Sequence, residues 1–418
     1  VAPAPALATQ TFALPTGLAC VLVENHEQAL IRMELLCPWD RPELPAGKEG
    51  IGGFLAEAMA AGGAGPYARA AFLRELDNLG MTFRFEPGAG AYRWCLTADS
   101  RSQETAMELL ADAVARPAFD GPLVERVRQT ALKRIAALPP RERAALRFGW
   151  ELGDPAVLAP VVPVPYRKIE FQDLLDFRRR VIRPERAVLA LYGDLNLVQA
   201  RQLVLMHLGI WGPPAQPALK GQASPPATQA KAPARLLAVL DPGPGAELWA
   251  GAARPADGRN PAAEALLPIL LARAAQGWFG EGGATVRLAQ DGPGCLVIRA
   301  RVAQVDRDRL VPGFATALAA LAARGFGAED LARARVQWQA GRAALPLHPE
   351  PMLRELAGGR LDPGLVAAVD ALDPAAVNGV LRAWLEPARL RFLLLGADAA
   401  MVQAAEKAGL GPTALSGD

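Results

Sequence analysis

"RPERAVLALYGD" at residues 183–194 and "EPARLRFLLLGAD" at 386–398 decide how this chain is organised. Each is a charged, proline-containing turn, then an apolar run of strand length, then glycine and aspartate. Glycine there can take a positive φ, and aspartate can cap the helix that follows. A helical run comes next in both places, at 196–208 and 399–409. One signature met twice in 418 residues, a length suited to two domains, predicts a duplication.

Working outward, the parts before each signature also correspond. Strand-like pairs lie at 17–23 and 29–37 in the first half, and at 234–240 and 246–253 in the second. Ala/Leu-rich helical runs follow at 51–61 and 261–277. Later strands are expected at 81–87, 91–98 and 294–302, and long helices at 102–115 and 307–323. Between the halves, residues 212–233 are rich in Pro, Ala, Gln and Ser without an apolar period, which reads as an extended linker. The expected domains are therefore 1–211 and 234–418, with the linker at 212–233. Short alternating strands beside long amphipathic helices predict α+β architecture: in each domain an antiparallel sheet covered by helices on one face.

Composition narrows the function classes. Hydrophobic residues make up 51% and charged residues 21%, ample for folded cores. The 45 basic and 43 acidic residues leave a net charge of +2, which argues against a nucleic-acid partner. No apolar run is long enough to span a bilayer. The opening V-A-P-A-P-A-L-A fits a mature end left by cleavage or a trimmed chain, and the expectation leans to a periplasmic or secreted protein over a cytoplasmic one. Cys20, Cys37, Cys95 and Cys295 are scattered singly, and read as small buried hydrophobes. His26, His207 and His348 are remote from one another and none has a metal-ligand partner at helical spacing. No G-x-S-x-G and no phosphate-binding G-x-x-x-x-G-K-[ST] occurs. Trp249, Trp278, Trp338 and Trp384 read as core or domain-interface anchors.

Several stretches, in their order, resemble the M16 family of metallopeptidases over nearly the whole chain. They are "LPTGLACVLVENHEQ" (14–28), "PAGKEGIGGFLAEAMAAGG" (45–63), "EFQDLLDFRRRVIRPERAVLALYGDLNLVQARQLVLMHLGIW" (170–211), "FGAEDLARARVQW" (326–338) and "ALDPAAVNGVLRAWLEPARLRFLLLGAD" (371–398). In active members the helix matching 51–61 carries H-x-x-E-H. Its two histidines hold one zinc ion, and the glutamate between them activates the bound water. The resemblance puts Gly53 in the first histidine slot, Ala56 in the base slot and Glu57 in the second histidine slot. The family's later metal-binding glutamate falls at Lys133 or Arg134. Zinc needs about three protein ligands in a catalytic site, and these positions offer at most one. No catalytic residue, metal ligand or cofactor is therefore expected in this chain.

A second family feature lies in the C-terminal half, where active pairs supply an Arg and a Tyr to hold substrate. Arg287 stands in the Arg position, and the Tyr position falls at Gly294 or Cys295. Gly280, Gly282 and Gly283 resemble the glycine-rich loop of the non-catalytic processing-peptidase subunit, where backbone amides can approach an extended peptide. The expected substrate-binding set is thus Gly280, Gly282, Gly283 and Arg287; a plain solvent loop after a helix is the competing account.

The resemblance implies a non-catalytic subunit that pairs with a zinc-bearing M16 homologue and completes a chamber around a peptide or precursor, zinc residing in the partner. Two alternatives stand beside it: an inactive scaffold or homodimeric peptide-binding protein, and a peptidase with an unrecognised site resting on Glu57.

Overall fold

In the computed structural model the described residues are 8–39, 44–88, 90–154, 156–212, 235–241, 245–255, 260–279, 284–289, 294–303, 306–360, 363–411 and 413–415. The chain opens with β1 (Thr9–Ala13), β2 (Ala19–Glu24), β3 (Leu30–Pro38), α1 (Ile51–Ala61), β4 (Gly63–Ala64), α2 (Arg69–Asn78) and the pair β5 (Thr82–Gly88) and β6 (Ala91–Asp99). A helical stretch follows: α3 (Gln103–Ala115), short β7 (Pro117–Ala118), α4 (Gly121–Ala137), α5 (Pro140–Leu152), α6 (Pro163–Lys168) and α7 (Phe171–Val181). Then come β8 (Val188–Gly193) and α8 (Leu197–Leu208). The second half runs β9 (Leu236–Leu240), β10 (Gly245–Ala253), α9 (Pro261–Ala275), β11 (Ala284–Ala289), β12 (Cys295–Ala303), α10 (Arg307–Arg324) and α11 (Ala328–Ala344). It closes with α12 (Pro349–Ala357), α13 (Pro363–Ala371), α14 (Pro374–Trp384), β13 (Arg391–Ala397), α15 (Ala399–Lys407) and β14 (Thr413–Leu415).

The two signature stretches form β8–α8 and β13–α15, and the glycine and aspartate act as their chemistry predicts. Gly193 and Gly396 have φ of 127° and 69°. Asp398 caps α15 by accepting from the Met401 N–H; after β8, Asn196 rather than Asp194 is the cap, in a reciprocal box with Gln199. Each signature strand lies inside a six-stranded sheet. The orders are β1-β2-β8-β3-β6-β5 and β11-β12-β10-β13-β9-β14. Their inner four strands correspond one to one, with the same directions: β8 is parallel to β2 and antiparallel to β3, as β13 is to β9 and β10. The duplication ends at the edge, where β1 pairs antiparallel with β2 but β14 pairs parallel with β9.

The architecture is α+β, as the patterning predicts, but both sheets are mixed rather than purely antiparallel. The reason is connection length. A hairpin can only reverse a strand, whereas the helices between β2 and β8 return the chain to the end where β2 began.

Two compact units emerge, and they are not the two contiguous halves. One comprises Val1–Ala136, Leu158–Pro225 and Ala343–Leu361; the other comprises Ala137–Val157, Pro226–Arg342 and Asp362–Asp418. The expected boundaries 1–211 and 234–418 are thus crossed by two exchanged segments, carrying α5 and α12. Of the expected linker, residues 213–233 lie outside the described residues.

Each exchanged helix covers the sheet face that the main helical layer leaves open. In the first unit, Leu22, Leu35, Leu189 and Leu191 join the large core with α1, α3 and α8. The alternate residues Val23, Leu36, Ala190 and Tyr192 point the other way and meet Met352, Leu353, Leu356 and Ala357 of α12. Burying each of the three large side chains of α12 contributes about 1.5–3 kcal/mol. Ion pairs Arg84–Glu350 (2.9 Å) and Arg354–Glu86 (2.6 Å) tie its polar side to β5. In the second unit, Ala144, Phe148 and Leu152 of α5 recur every fourth residue and cover Leu237, Val239, Val297, Leu393 and Leu395. Gly251 of β10 allows this approach: a Cβ there would stand 2.2 Å from Leu152 Cδ1 and 3.0 Å from Phe148 Cζ.

No disulfide joins the cysteines among the described residues, and Cys20, Cys37 and Cys295 are buried in strands. Burial pushes the Cys20 thiol up to about 12. Among the tryptophans singled out, Trp384 is fully buried while Trp249, Trp278 and Trp338 are partly buried against the second unit's cores. Among the described residues no single helix is long and apolar enough to cross a bilayer.

Candidate functional site

Helix α1 is held by its apolar residues: Ile51, Phe54, Leu55 and Ala58 are fully enclosed in the first unit's core. Before it, Lys48 reaches Asp173 on α7 at 2.6 Å and fixes the approach of the chain. With Phe54 and Ala58 facing inward, the helical period leaves Gly53 and Glu57, one turn apart, on a shared side face.

That face is occupied by protein. A Cβ on Gly53 would lie 3.0 Å from Ala159 Cβ and 3.1 Å from both Leu158 Cβ and Leu158 O. Any side chain at 53 therefore requires the 158–159 segment to give way. One turn on, Glu57 Oε1 accepts from Arg134 Nη2 of α4 at 2.5 Å, with the Glu57 side chain 25% exposed and that of Arg134 54%. Burial works against the Arg134 charge, but Glu57 and the Tyr166 hydroxyl offset it, and its pKa ends raised. Tyr166 of α6 is buried, and burial with the nearby Glu57 charge pushes its phenol far above the ordinary range. Its ring packs on Phe54 at 5.8 Å. Arg128, six residues before Arg134 on α4, lies over the Phe54 ring at 5.1 Å and donates to the Tyr166 carbonyl.

The structure therefore pairs Glu57 with Arg134, 77 residues away in sequence, on the helix face that also carries Gly53. The residues present do not fit a zinc ion. Gly53 and Ala56 have no ligating side-chain atoms, and the Glu57 carboxylate already serves a guanidinium. A fixed positive charge beside it repels a divalent ion. Among the described residues no group of three or more His, Cys, Asp or Glu side chains is placed to share a metal. Chemically, this arrangement is an ion-pair clamp between α1 and α4, with the outer guanidinium N–H groups half open to solvent.

Of the expected peptide-binding residues, Gly280, Gly282 and Gly283 lie outside the described residues. Arg287 sits on β11, the edge strand of the second sheet, opposite Val297. Its guanidinium makes a two-pronged bond to Asp154, with Nη1–Oδ1 at 3.0 Å. Asp154 is buried, and the hydrogen bonds to it raise the Arg287 pKa. Gly294 has a φ of 74° and Cys295 is buried, so neither presents a side chain as a tyrosine would. Sequence reasoning missed Asp154 and Tyr166, which precede and follow a proline-rich stretch and carry no motif. The Glu57–Arg134 pair was legible as opposite charges in two slots of one expected site.

The chain's likeness to known proteins agrees with this fold. A family model described as the Peptidase M16 inactive domain matches residues 168–251. No curated protein sequence matches the chain. Among solved structures, a protease from Helicobacter pylori is 14% identical with a TM-score of 0.69, covering 93% of this chain and 99% of that one. A peptidase M16 inactive domain from Pseudomonas fluorescens is 18% identical with a TM-score of 0.72, covering 93% and 98%. The periplasmic protease PqqL from Escherichia coli is 14% identical with a TM-score of 0.70; the match covers 94% of this chain and 47% of that protein. At such identities the likeness shows the fold: two mixed six-stranded sheets covered by helices, in the M16 manner.

Proposed function

We propose that this chain is a non-catalytic peptide-binding half of an M16-type peptidase, paired with a homologous chain that carries zinc. The observation that carries the reading is the Glu57–Arg134 ion pair on the face of α1 where the resemblance places metal ligands. A guanidinium supplies positive charge without an open coordination position, so it can fix the helix but cannot activate water. A fold kept intact around a closed metal face suits a chain whose role is to bind and enclose. Gly280, Gly282, Gly283 and Arg287 remain the proposed peptide contacts, and the M16-like fold of the bacterial proteases above supports a two-half chamber.

The test is an affinity pull-down of the full chain from its native organism, with mass spectrometry and a zinc determination on the captured complex. Near-equal recovery of an H-x-x-E-H homologue, with about one zinc per pair and peptide hydrolysis only by the pair, supports the proposal. Recovery of the chain alone, or with proteins carrying no such motif, overturns it.

A second reading, an assembly scaffold without peptide binding, is favoured by one observation: the Arg287 guanidinium is already engaged by Asp154. If Arg287→Gln leaves peptide affinity of the captured pair unchanged, Arg287 leaves the proposed contact set. If no peptide binds at all, the scaffold reading stands. Peptide hydrolysis by the isolated chain that is lost in Glu57→Ala would instead revive a site built on that carboxylate.

A further inference from the structure

Three helices of the second unit direct arginines at one cavity of about 200 Å3. Arg273 comes from the last turn of α9, Arg324 from the last turn of α10 and Arg333 from the second turn of α11. Leu270 and Phe326, which are 2% and 5% exposed, form its apolar floor. Asp330 is the acidic residue in the lining.

The charges in the cavity do not balance. Arg333 is engaged by Glu329 at 2.7 Å and by Asp330 at 3.4 Å. Asp330 also accepts the Gly327 N–H at 3.1 Å. That N–H, followed by Arg333 and the Arg324 charge, holds its carboxyl below the ordinary range. Arg273 and Arg324 have no hydrogen-bond or ion-pair partner among the described residues. Three guanidinium groups thus face two carboxylates, and two planar forks of N–H donors are unused. Helix-end arginines commonly complement the helix dipole, which accounts for Arg273 and Arg324 separately. It does not account for their convergence, with a third arginine, over an apolar floor.

We propose that this cavity binds a small organic oxyanion: a carboxylate or phosphate group carried on a compact apolar stem. The Arg273 and Arg324 forks take the oxygens, a geometry guanidinium matches better than ammonium. Leu270 and Phe326 take the stem, giving the few polar anchors over apolar wall that small-ligand sites show. The site uses no residue of α1 or β11 and stands independently of the peptidase-subunit proposal.

Calorimetric titration of the full chain with benzoate, phenyl phosphate and inorganic phosphate tests it, against sodium chloride at equal ionic strength. The expected result is saturable one-to-one binding of benzoate or phenyl phosphate. Affinity should fall ~10-fold or more in Arg273→Gln and in Arg324→Gln, with unchanged far-UV circular dichroism and Tm, since both side chains are exposed. Arg273→Lys keeps the charge but not the fork, and should bind at an intermediate level. Binding of benzoate alone identifies the carboxylate source, and of phenyl phosphate alone the phosphate source. Inorganic phosphate binding as tightly as phenyl phosphate overturns the role of the apolar floor. Heats no larger than those of chloride, or full affinity in the double Gln variant, overturn the site.

Discussion

Removing Glu57 and Arg134, singly and together, gives a direct measure of the clamp on α1. The two side chains meet at 2.5 Å but are 25% and 54% exposed, so solvent screens much of their attraction. For exposed pairs the measured coupling is about 0.2–1 kcal/mol, and this geometry belongs at the upper end. The single losses should be unequal. Arg134→Ala leaves a mostly buried carboxylate without its donor, an effect of about 1–2 kcal/mol. Glu57→Ala leaves a guanidinium that keeps Tyr166 and water, at about 0.5–1 kcal/mol. Urea denaturation of the wild type, both single variants and the double variant yields the coupling from the cycle. Repeating it in 1 M salt, where the Debye length shrinks to about 3 Å, should lower the coupling. The wild-type Tm should not move on addition of a chelator. A coupling indistinguishable from zero, or a Tm that drops when metal is stripped, would refute the reasoning that an ion pair and not a metal secures this face.

Three further outcomes follow from named contacts. Gly53→His should lower stability by about 1–3 kcal/mol through overpacking against Leu158 and Ala159; an unchanged denaturation midpoint would mean the face is open. Leu353→Ala, at a 3% exposed position on the sheet-facing side of α12, should cost about 2–4 kcal/mol in urea unfolding; a loss under about 0.5 kcal/mol would count against α12 covering the first sheet. His26 lies between Asp194 and Glu24, with both ring nitrogens at 2.7 Å, and those bonds raise its pKa above the ordinary 6.5. Its contribution to stability should be full below that value and fade as pH rises through the raised one. Glu24 and Asp194, whose pKa values are lowered by the same bonds, contribute above their ordinary values and lose it as pH falls through the lowered ones. NMR titration of the imidazole should place its midpoint above 6.5; a midpoint at or below it would show that the carboxylates do not hold the ring.

Local patterning was enough for most of the elements. The helix expected at 51–61 is α1 to the residue, the strands expected at 29–37, 81–87 and 294–302 are β3, β5 and β12 shifted by one residue, and the strand expected at 91–98 is β6 with one residue more at its end. These are long runs whose period reports burial directly. Edge strands β1, β11 and β14 were not anticipated, because half-exposed edges carry a weak alternation. The candidate site was legible in its parts: Glu57 and Arg134 were both in expected slots, and Arg287 in another.

The sequence by itself determined the duplication, the α+β class and the absence of histidine from the face of α1, because each depends only on residue identity and spacing along one segment. Tertiary structure alone decided where α5 and α12 go. The stripe of Ala144, Phe148 and Leu152 announces that α5 buries a face, and Leu353 with Leu356 does the same for α12. A stripe says that a surface must be covered and not which sheet covers it. Both sheets offer an apolar back, so the choice rests on complementary contacts such as Gly251 beneath Leu152, and Arg84 and Glu86 beside α12. The same holds for Arg287. Its identity suited a substrate contact, and only the fold brought a buried carboxylate, Asp154, against it.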